Sequence, residues 1–307
     1  MKPIEVEHMT KTYGKVEAVR GISFEVNDGE LFGLIGPDGA GKTTIFRILT
    51  TLLKPDAGKA SVLGLNAVDD YKQIRPKVGY MPGRFSLYQD LSVEENLSFF
   101  ASVFGTNIEE NYELVKPIYS QLEPFKDRMA GALSGGMKQK LALSCALIHK
   151  PEVLFLDEPT TGVDAVSRKE FWQMLHRLKD EGITILVSTP YMDEAEQCDR
   201  IALMQEGKIL SIDTPVRITD QFDEPLWAIK SKDKYKLIQV LRTYEFAESV
   251  QPFGEYVHYT DQRSDFVPDK LKSYLEVNGI EYPEIRKIAP DIEDTFIRLM
   301  EQEVSHE

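Results

Sequence analysis

The chain has 307 residues, enough for one large domain or two of ordinary size. Its 42% hydrophobic and 10% aromatic content supports a sizeable buried core, which excludes a disordered tail protein. Thirty-six Lys and Arg against 50 Asp and Glu leave a formal net charge of -14, a field that repels phosphate backbones and argues against sequence-independent nucleic-acid binding while leaving room for a nucleotide in a local site.

Taken in chain order, the first stretch predicts strands at 4–8, 22–26 and Leu31–Ile35, short segments rich in branched and aromatic residues and separated by Gly and Asp-Gly turns. The third runs into Gly36-Pro37-Asp38-Gly39-Ala40-Gly41-Lys42-Thr43-Thr44. A helical pattern follows, with Ile45, Ile48, Leu49, Leu52 and Leu53 on one face, stopped by Lys54-Pro55-Asp56 and Gly58. Residues 84 to 150 read as mostly helical. Ser92-Val93-Glu94-Glu95 is a capping box for a helix carrying Leu97, Phe100 and Phe104, and a second helix from Ser134 aligns Met137, Leu141, Cys145 and Ile148. Then come a strand at 153–156, a helix at 165–181 closed by Gly182, and a strand at 183–188; strands alternating with helices imply a parallel sheet. Past Asp213-Thr214-Pro215, strands at Leu226–Lys230, 250–259 and 282–288 and helices at 235–244, 269–278 and 292–302 describe a small α+β unit. Cys145 and Cys198 are too few for a disulfide framework or a cysteine zinc site and read as small buried hydrophobes. The first residues lack the apolar core of a signal peptide, and no apolar run approaches the ~18–20 residues of a bilayer span, so a cytosolic chain is expected that meets a membrane through a partner.

Gly36-x-x-x-x-Gly41-Lys42-Thr43 sits after a strand and before a helix, where a phosphate-binding loop must be. Its glycines let backbone N–H groups cradle phosphates at a positively polarised helix N-terminus. Lys42 can reach the β- and γ-phosphates, and the Thr43 hydroxyl can ligate Mg²⁺. The second element is Val153-Leu154-Phe155-Leu156-Asp157-Glu158, a buried strand that delivers two carboxylates at the ligand crevice. Asp157 is predicted to hold Mg²⁺, and Glu158 to polarise the attacking water as general base.

Leu133-Ser134-Gly135-Gly136-Met137-Lys138-Gln139 resembles the signature motif of ABC-type ATPases. The resemblance covers residues 4–215 and implies the family's fold: α/β, with a P-loop (RecA-like) parallel-sheet core, an N-terminal antiparallel β subdomain and a helical signature subdomain at about 84–150. A small C-terminal α+β domain at 216–307 completes the predicted architecture. In that family Ser134, Gly135 and Gly136 would face the γ-phosphate of a second subunit's ATP, two such domains clamping two nucleotides head to tail. Tyr13 looks like the aromatic that stacks on adenine. Thr160-Thr161-Gly162-Val163-Asp164 resembles the loop crossing the dimer interface, with Asp164 as its acid, and Met192-Asp193-Glu194-Ala195-Glu196 with Cys198-Asp199-Arg200-Ile201 resembles the segment after the last catalytic strand. Ile292-Glu293-Asp294-Thr295-Phe296 is similar to the extension on ATPase subunits of ABC-2-type exporters, the drug and antibiotic efflux group.

Two positions depart from the family. After Gly79-Tyr80-Met81-Pro82 the family carries a Gln that ligates Mg²⁺ and senses the membrane partner; here the residue is Gly83, with Gln89 the only Gln nearby. Between the strand at 183–188 and Tyr191 the family carries a His that contacts the γ-phosphate and holds the general base; here stand Thr189-Pro190, expected to cap the next helix with Pro190 at its first position. None of His8, His149, His176, His258 and His306 lies there. The implied protein is an ATPase using ATP and Mg²⁺ that powers export through ABC-2-type permease subunits, with its own site impaired. It would sit peripherally on the cytoplasmic face of the membrane, gripping the permease through the surface around Phe85, Leu87, Tyr88 and the helix from Val93. A heterodimer with a second ATP-binding subunit is favoured over a homodimer. A non-hydrolysing regulatory subunit is the alternative; a soluble ABC-type ATPase of DNA repair or translation fits less well, since Lys42 to Ser134 leaves no room for a long coiled coil.

Overall fold

A computed structural model describes residues 2–306, with side chains to residue 303. The chain divides into two compact units, one formed by the residues up to Ile218 together with those from Leu299 onward, the other by Thr219–Arg298. The division therefore falls slightly after the predicted 215/216, and the end of the chain groups with the first unit.

In the first unit the strands are β1 (Ile4–Tyr13), β2 (Val16–Val26), β3 (Leu31–Ile35), β4 (Ala57–Val62), β5 (Leu65–Asn66), β6 (Val78–Met81), β7 (Val153–Asp157), β8 (Thr184–Thr189), β9 (Arg200–Gln205) and β10 (Lys208–Asp213). Its helices are α1 (Lys42–Leu49), α2 (Tyr71–Ile74), α3 (Val93–Val103), α4 (Ile108–Tyr119), α5 (Gly135–Leu147) and α6 (Ala165–Asp180), and α7 (Pro215–Thr219) crosses the division. An antiparallel sheet runs β2-β1-β4-β5, and a six-stranded sheet runs β10-β9-β3-β8-β7-β6. All its pairings are parallel except that of β10 with β9. Every residue of β3, β7 and β8 is buried, the continuous apolar pattern of strands covered on both faces. Phe46 of α1 meets Phe155 of β7 edge-on at 6.2 Å, fixing the first helix over the strand that carries the carboxylates.

The first helix is shorter than its apolar stripe predicts. Thr51 turns left-handed at φ 65°, and the N–H groups of Thr51 and Leu52 donate to the carbonyls of Ile48 and Arg47, a Schellman ending built on Thr instead of Gly. Leu52 is left 58% exposed. Both partners of the predicted capping box are in place: the Glu95 N–H donates to Ser92 Oγ and the Ser92 N–H to Glu95 Oε2.

The second unit contains β11 (Leu226–Lys230), α8 (Lys234–Arg242), β12 (Ala247–Phe253), β13 (Tyr256–Asp261), α9 (Pro268–Val277) and β14 (Glu284–Ile288), followed by α10 (Ile292–His306), which runs across the division. The predicted single strand at 250–259 is a hairpin, turned where Gly254 takes φ 49°. Element order βαββαβ and the antiparallel strand order β12-β13-β11-β14 make this a ferredoxin-like unit. Its own core packs Ile229, Leu237, Leu241, Val257, Tyr259 and Leu271.

Candidate nucleotide site

The loop after β3 is shaped by close approaches that only glycine tolerates. A Cβ on Gly36 would lie 2.2 Å from the Met204 carbonyl oxygen, and one on Gly41 2.2 Å from that of Ala18; Gly39 and Gly41 also take φ 84° and 99°. Gly41 stands at the N-cap position of α1 with no side-chain cap, so the first N–H groups of the helix are not claimed by a capping side chain. Lys42, 2% exposed, folds back along the loop. Its Nζ donates to the carbonyls of Gly36 (2.7 Å) and Pro37 (3.0 Å) and pairs with Glu158 Oε1 at 3.2 Å. Tyr13, Val16, Ala18, Asp38, Gly39 and Ala40, with Gly41, Lys42, Thr43, Thr44 and Glu158, line a cavity of about 420 Å³. Gly36 and Pro37 lie beneath it, their carbonyls turned to Lys42.

β7 delivers the two carboxylates differently. Asp157 is buried and accepts a hydrogen bond from Ser188 Oγ at 2.7 Å. Its charge and, more strongly, burial push the neighbouring Tyr80 phenol up to about 12. Glu158 takes φ 50°, a left-handed conformation that costs a non-glycine residue on the order of 1–3 kcal/mol. It is held there by its own N–H, which donates to the Ser188 carbonyl (3.1 Å) and hydroxyl (3.0 Å). The last turn of β8 therefore positions both acids. Sequence reading passed over Ser188; the available signal was one hydroxyl at the end of an apolar strand.

Ser134, Gly135, Gly136 and Asp164 do not line the cavity. Ser134 caps α5, accepting from the Met137 N–H at 3.3 Å. Gly135 sits against the Gly162 carbonyl, and a Cβ on Gly136 would meet Ser167 Oγ at 2.7 Å. Two glycines at a helix start thus have a packing cause, the contact with the start of α6. Asp164 caps α6, and hydrogen bonds from the Ser167 N–H and hydroxyl and from the Val166 N–H hold its carboxyl below the usual range.

At the two departures, a Cβ on Gly83 would lie 3.0 Å from the Asp157 carbonyl oxygen and 3.7 Å from Glu158 Cβ, so position 83 borders the acids. Gln89 does not stand in for it: its carbonyl accepts from the Gly131 N–H, and its side chain lies beside that glycine. The expectation that Thr189 caps a helix beginning at Pro190 is corrected. Thr189 ends β8, its hydroxyl accepts from the Tyr191 N–H, and a short 3-10 turn starts only at Met192. A buried Glu194 that sequence reading gave no role accepts from both Thr189 and Thr160. Cys145 and Cys198 are buried, which pushes both thiols up, as small hydrophobic residues behave.

The ABC transporter family model matches residues 19–161. The probable multidrug ABC transporter ATP-binding protein YbhF of Escherichia coli K12 is 39% identical over 288 residues, 92% of this chain but 49% of YbhF, so the chain spans about half the length of that relative. The Nod factor export ATP-binding protein I of Burkholderia orbicola is 42% identical over 309 residues, 98% of each chain. Among solved structures, cbiO1 from Clostridium perfringens, part of the ABC transporter complex cbiONQ, aligns with TM-score 0.64 at 27% identity, over 72% of this chain and 91% of that one. With a glycine-cradled lysine, two acids at the end of another strand of the same parallel sheet and this degree of likeness, the chain belongs to the family of ABC transporter ATP-binding proteins.

Proposed function

We propose that this chain binds and hydrolyses ATP to power export through an ABC-2-type permease, and that its own ATP site is slow. The observation that carries the reading is the cavity where Lys42, Thr43 and Glu158 converge, while glycine stands at position 83 beside the two acids. Tyr13, 44% exposed at the cavity wall, stacks on adenine. The cavity-lining loop Asp38, Gly39, Ala40, Gly41, Lys42, Thr43 and Thr44 wraps the phosphates, chiefly through the backbone N–H groups of Gly39, Gly41, Lys42 and Thr43, and Lys42 exchanges its carbonyl and Glu158 partners for phosphate oxygens. That exchange frees the Glu158 carboxylate to take a proton from the attacking water. The Thr43 hydroxyl and the buried Asp157 carboxylate are hard oxygen donors, the set that suits Mg²⁺; when bound, the ion neutralises charge on the phosphates.

Ser134, Gly135 and Gly136, with Asp164, serve a second ATP-binding subunit's nucleotide. This follows from the resemblance and is supported by their lying outside the chain's own cavity. A heterodimer is the favoured assembly, because a slow site gains from a fully equipped neighbour. An apolar groove of about 440 Å³, lined by Leu52, Tyr80, Leu87, Phe100, Val103 and Phe104, supports a permease contact beside α3. Tyr88 is half exposed near it, whereas Phe85 lies under Lys138 Nζ at 5.5 Å. No helix among the described residues is long and apolar enough to cross a membrane; attachment through the permease at the cytoplasmic face rests on the likeness to ABC transporter ATP-binding proteins.

Losing one preorganised donor typically costs ~10²–10³ in rate. Gly83 and Pro190 together therefore also favour a second reading, a regulatory subunit that binds ATP without hydrolysing it. Glu158→Gln decides between them in the permease complex purified from detergent-solubilised membranes. A working site predicts lower ATPase and transport rates, whereas unchanged rates assign the chain the regulatory role.

A further inference from the structure

Glu194 is 2% exposed, on the short turn Met192–Gln197. Its Oε2 accepts from two buried hydroxyls on different segments, Thr189 Oγ1 at the end of β8 (2.5 Å) and Thr160 Oγ1 in the loop after Glu158 (2.9 Å). Its Oε1 lies 3.5 Å from Arg168 Nε on α6. A buried carboxylate is costly unless paired and hydrogen-bonded, and both hydroxyls that donate to Glu194 lie on segments flanking Glu158, the loop after β7 and the end of β8. Residues 158 to 160 are thereby tied to β8 at both ends. The Glu158 N–H is held by Ser188, and the Thr160 hydroxyl reaches Thr189 through Glu194. Left-handed non-glycine conformations persist only where the surroundings over-determine them, and Glu158 has φ 50°.

We infer that Glu194 is a positioning residue, clamping the loop after β7 to β8 so that the Glu158 carboxylate is aimed into the nucleotide cavity. The inference rests on the reading of Glu158 as general base. Glu194 does not line the cavity and acts only through Glu158. Position 190, which in the resembling family carries a histidine that steadies the base, is proline here and offers neither a side-chain donor nor a backbone N–H.

The test is single-turnover hydrolysis of γ-labelled ATP by the purified full chain, with ATP affinity measured in parallel. Glu194→Ala and Thr160→Val should each slow hydrolysis about 10- to 100-fold while ATP affinity stays within about twofold, as expected when reacting groups are misplaced by around 1 Å. Thr160→Ser, which keeps the hydroxyl, should restore the rate, and Glu194→Ala should add nothing to Glu158→Gln. Full activity in Glu194→Ala, or a multiplicative loss on top of Glu158→Gln, overturns the inference. If Glu158→Gln alone leaves hydrolysis unchanged, the general-base reading fails instead, and amide exchange then decides the clamp. Exchange across residues 157–163 should rise at least about tenfold in Glu194→Ala with β3 unaffected, and unchanged exchange refutes it.

Discussion

His149 stacks on Phe104 with ring centroids 3.7 Å apart, and its Nε2 lies 3.1 Å from the Val78 carbonyl. A carbonyl only accepts, so Nε2 carries the proton, and Nδ1 is buried without a hydrogen-bond partner. A second proton would therefore meet no acceptor, and burial pushes the imidazole below its ordinary value. The sign follows from linkage: the neutral ring's contribution is complete above the ordinary histidine value of about 6.5 and is lost as pH falls through the lowered folded value. The melting temperature should thus drop between about pH 7 and pH 5, and His149→Phe, which keeps the stack, should flatten that drop; parallel slopes in both proteins contradict this. At this scale, the residues legible in the sequence were those whose chemistry depends on spacing, such as Lys42 and Glu158. Ser188 and Glu194 act through contacts across 30 and 34 positions, which no local pattern announces.

Elements with one strong signal were legible: β3 and β7 as apolar runs, α3 by its capping box, α6 by its closing Gly182. Those that depend on long-range pairing were not. The short β4, β5 and β6 have no run of their own to mark them, and β6 exists because it pairs with β7. The 250–259 hairpin was hidden because both of its strands read as one branched and aromatic stretch across Gly254. The glycines of α5 show the opposite case, a local weakness with a tertiary cause. Gly136→Ala should therefore destabilise the fold by about 1–3 kcal/mol through overpacking against Ser167, not stabilise it as alanine in a helix ordinarily does. Urea unfolding reads this directly, and a more stable variant would show that the contact is soft.

Across the whole molecule, two ledgers of sequence information differ in reach. The parallel-sheet unit was legible because the phosphate loop and the two acids are marked by their own residues, and the signature helix by its resemblance to the ABC-type ATPases. The ferredoxin-like unit was legible only as α+β, since its strand order β12-β13-β11-β14 depends on pairings with no motif behind them. On the proposed function, this chain holds ATP firmly and turns it over slowly, because the glycine cradle is intact while position 83 supplies no metal ligand and position 190 no donor. The most direct measurement is a labelled-ATP experiment on the purified full chain with Mg²⁺, following retained nucleotide and released phosphate together. Near-stoichiometric retention is expected, with phosphate release well below about one per second. Failure to retain ATP, or release at the ordinary rate of roughly tens per second, would contradict it.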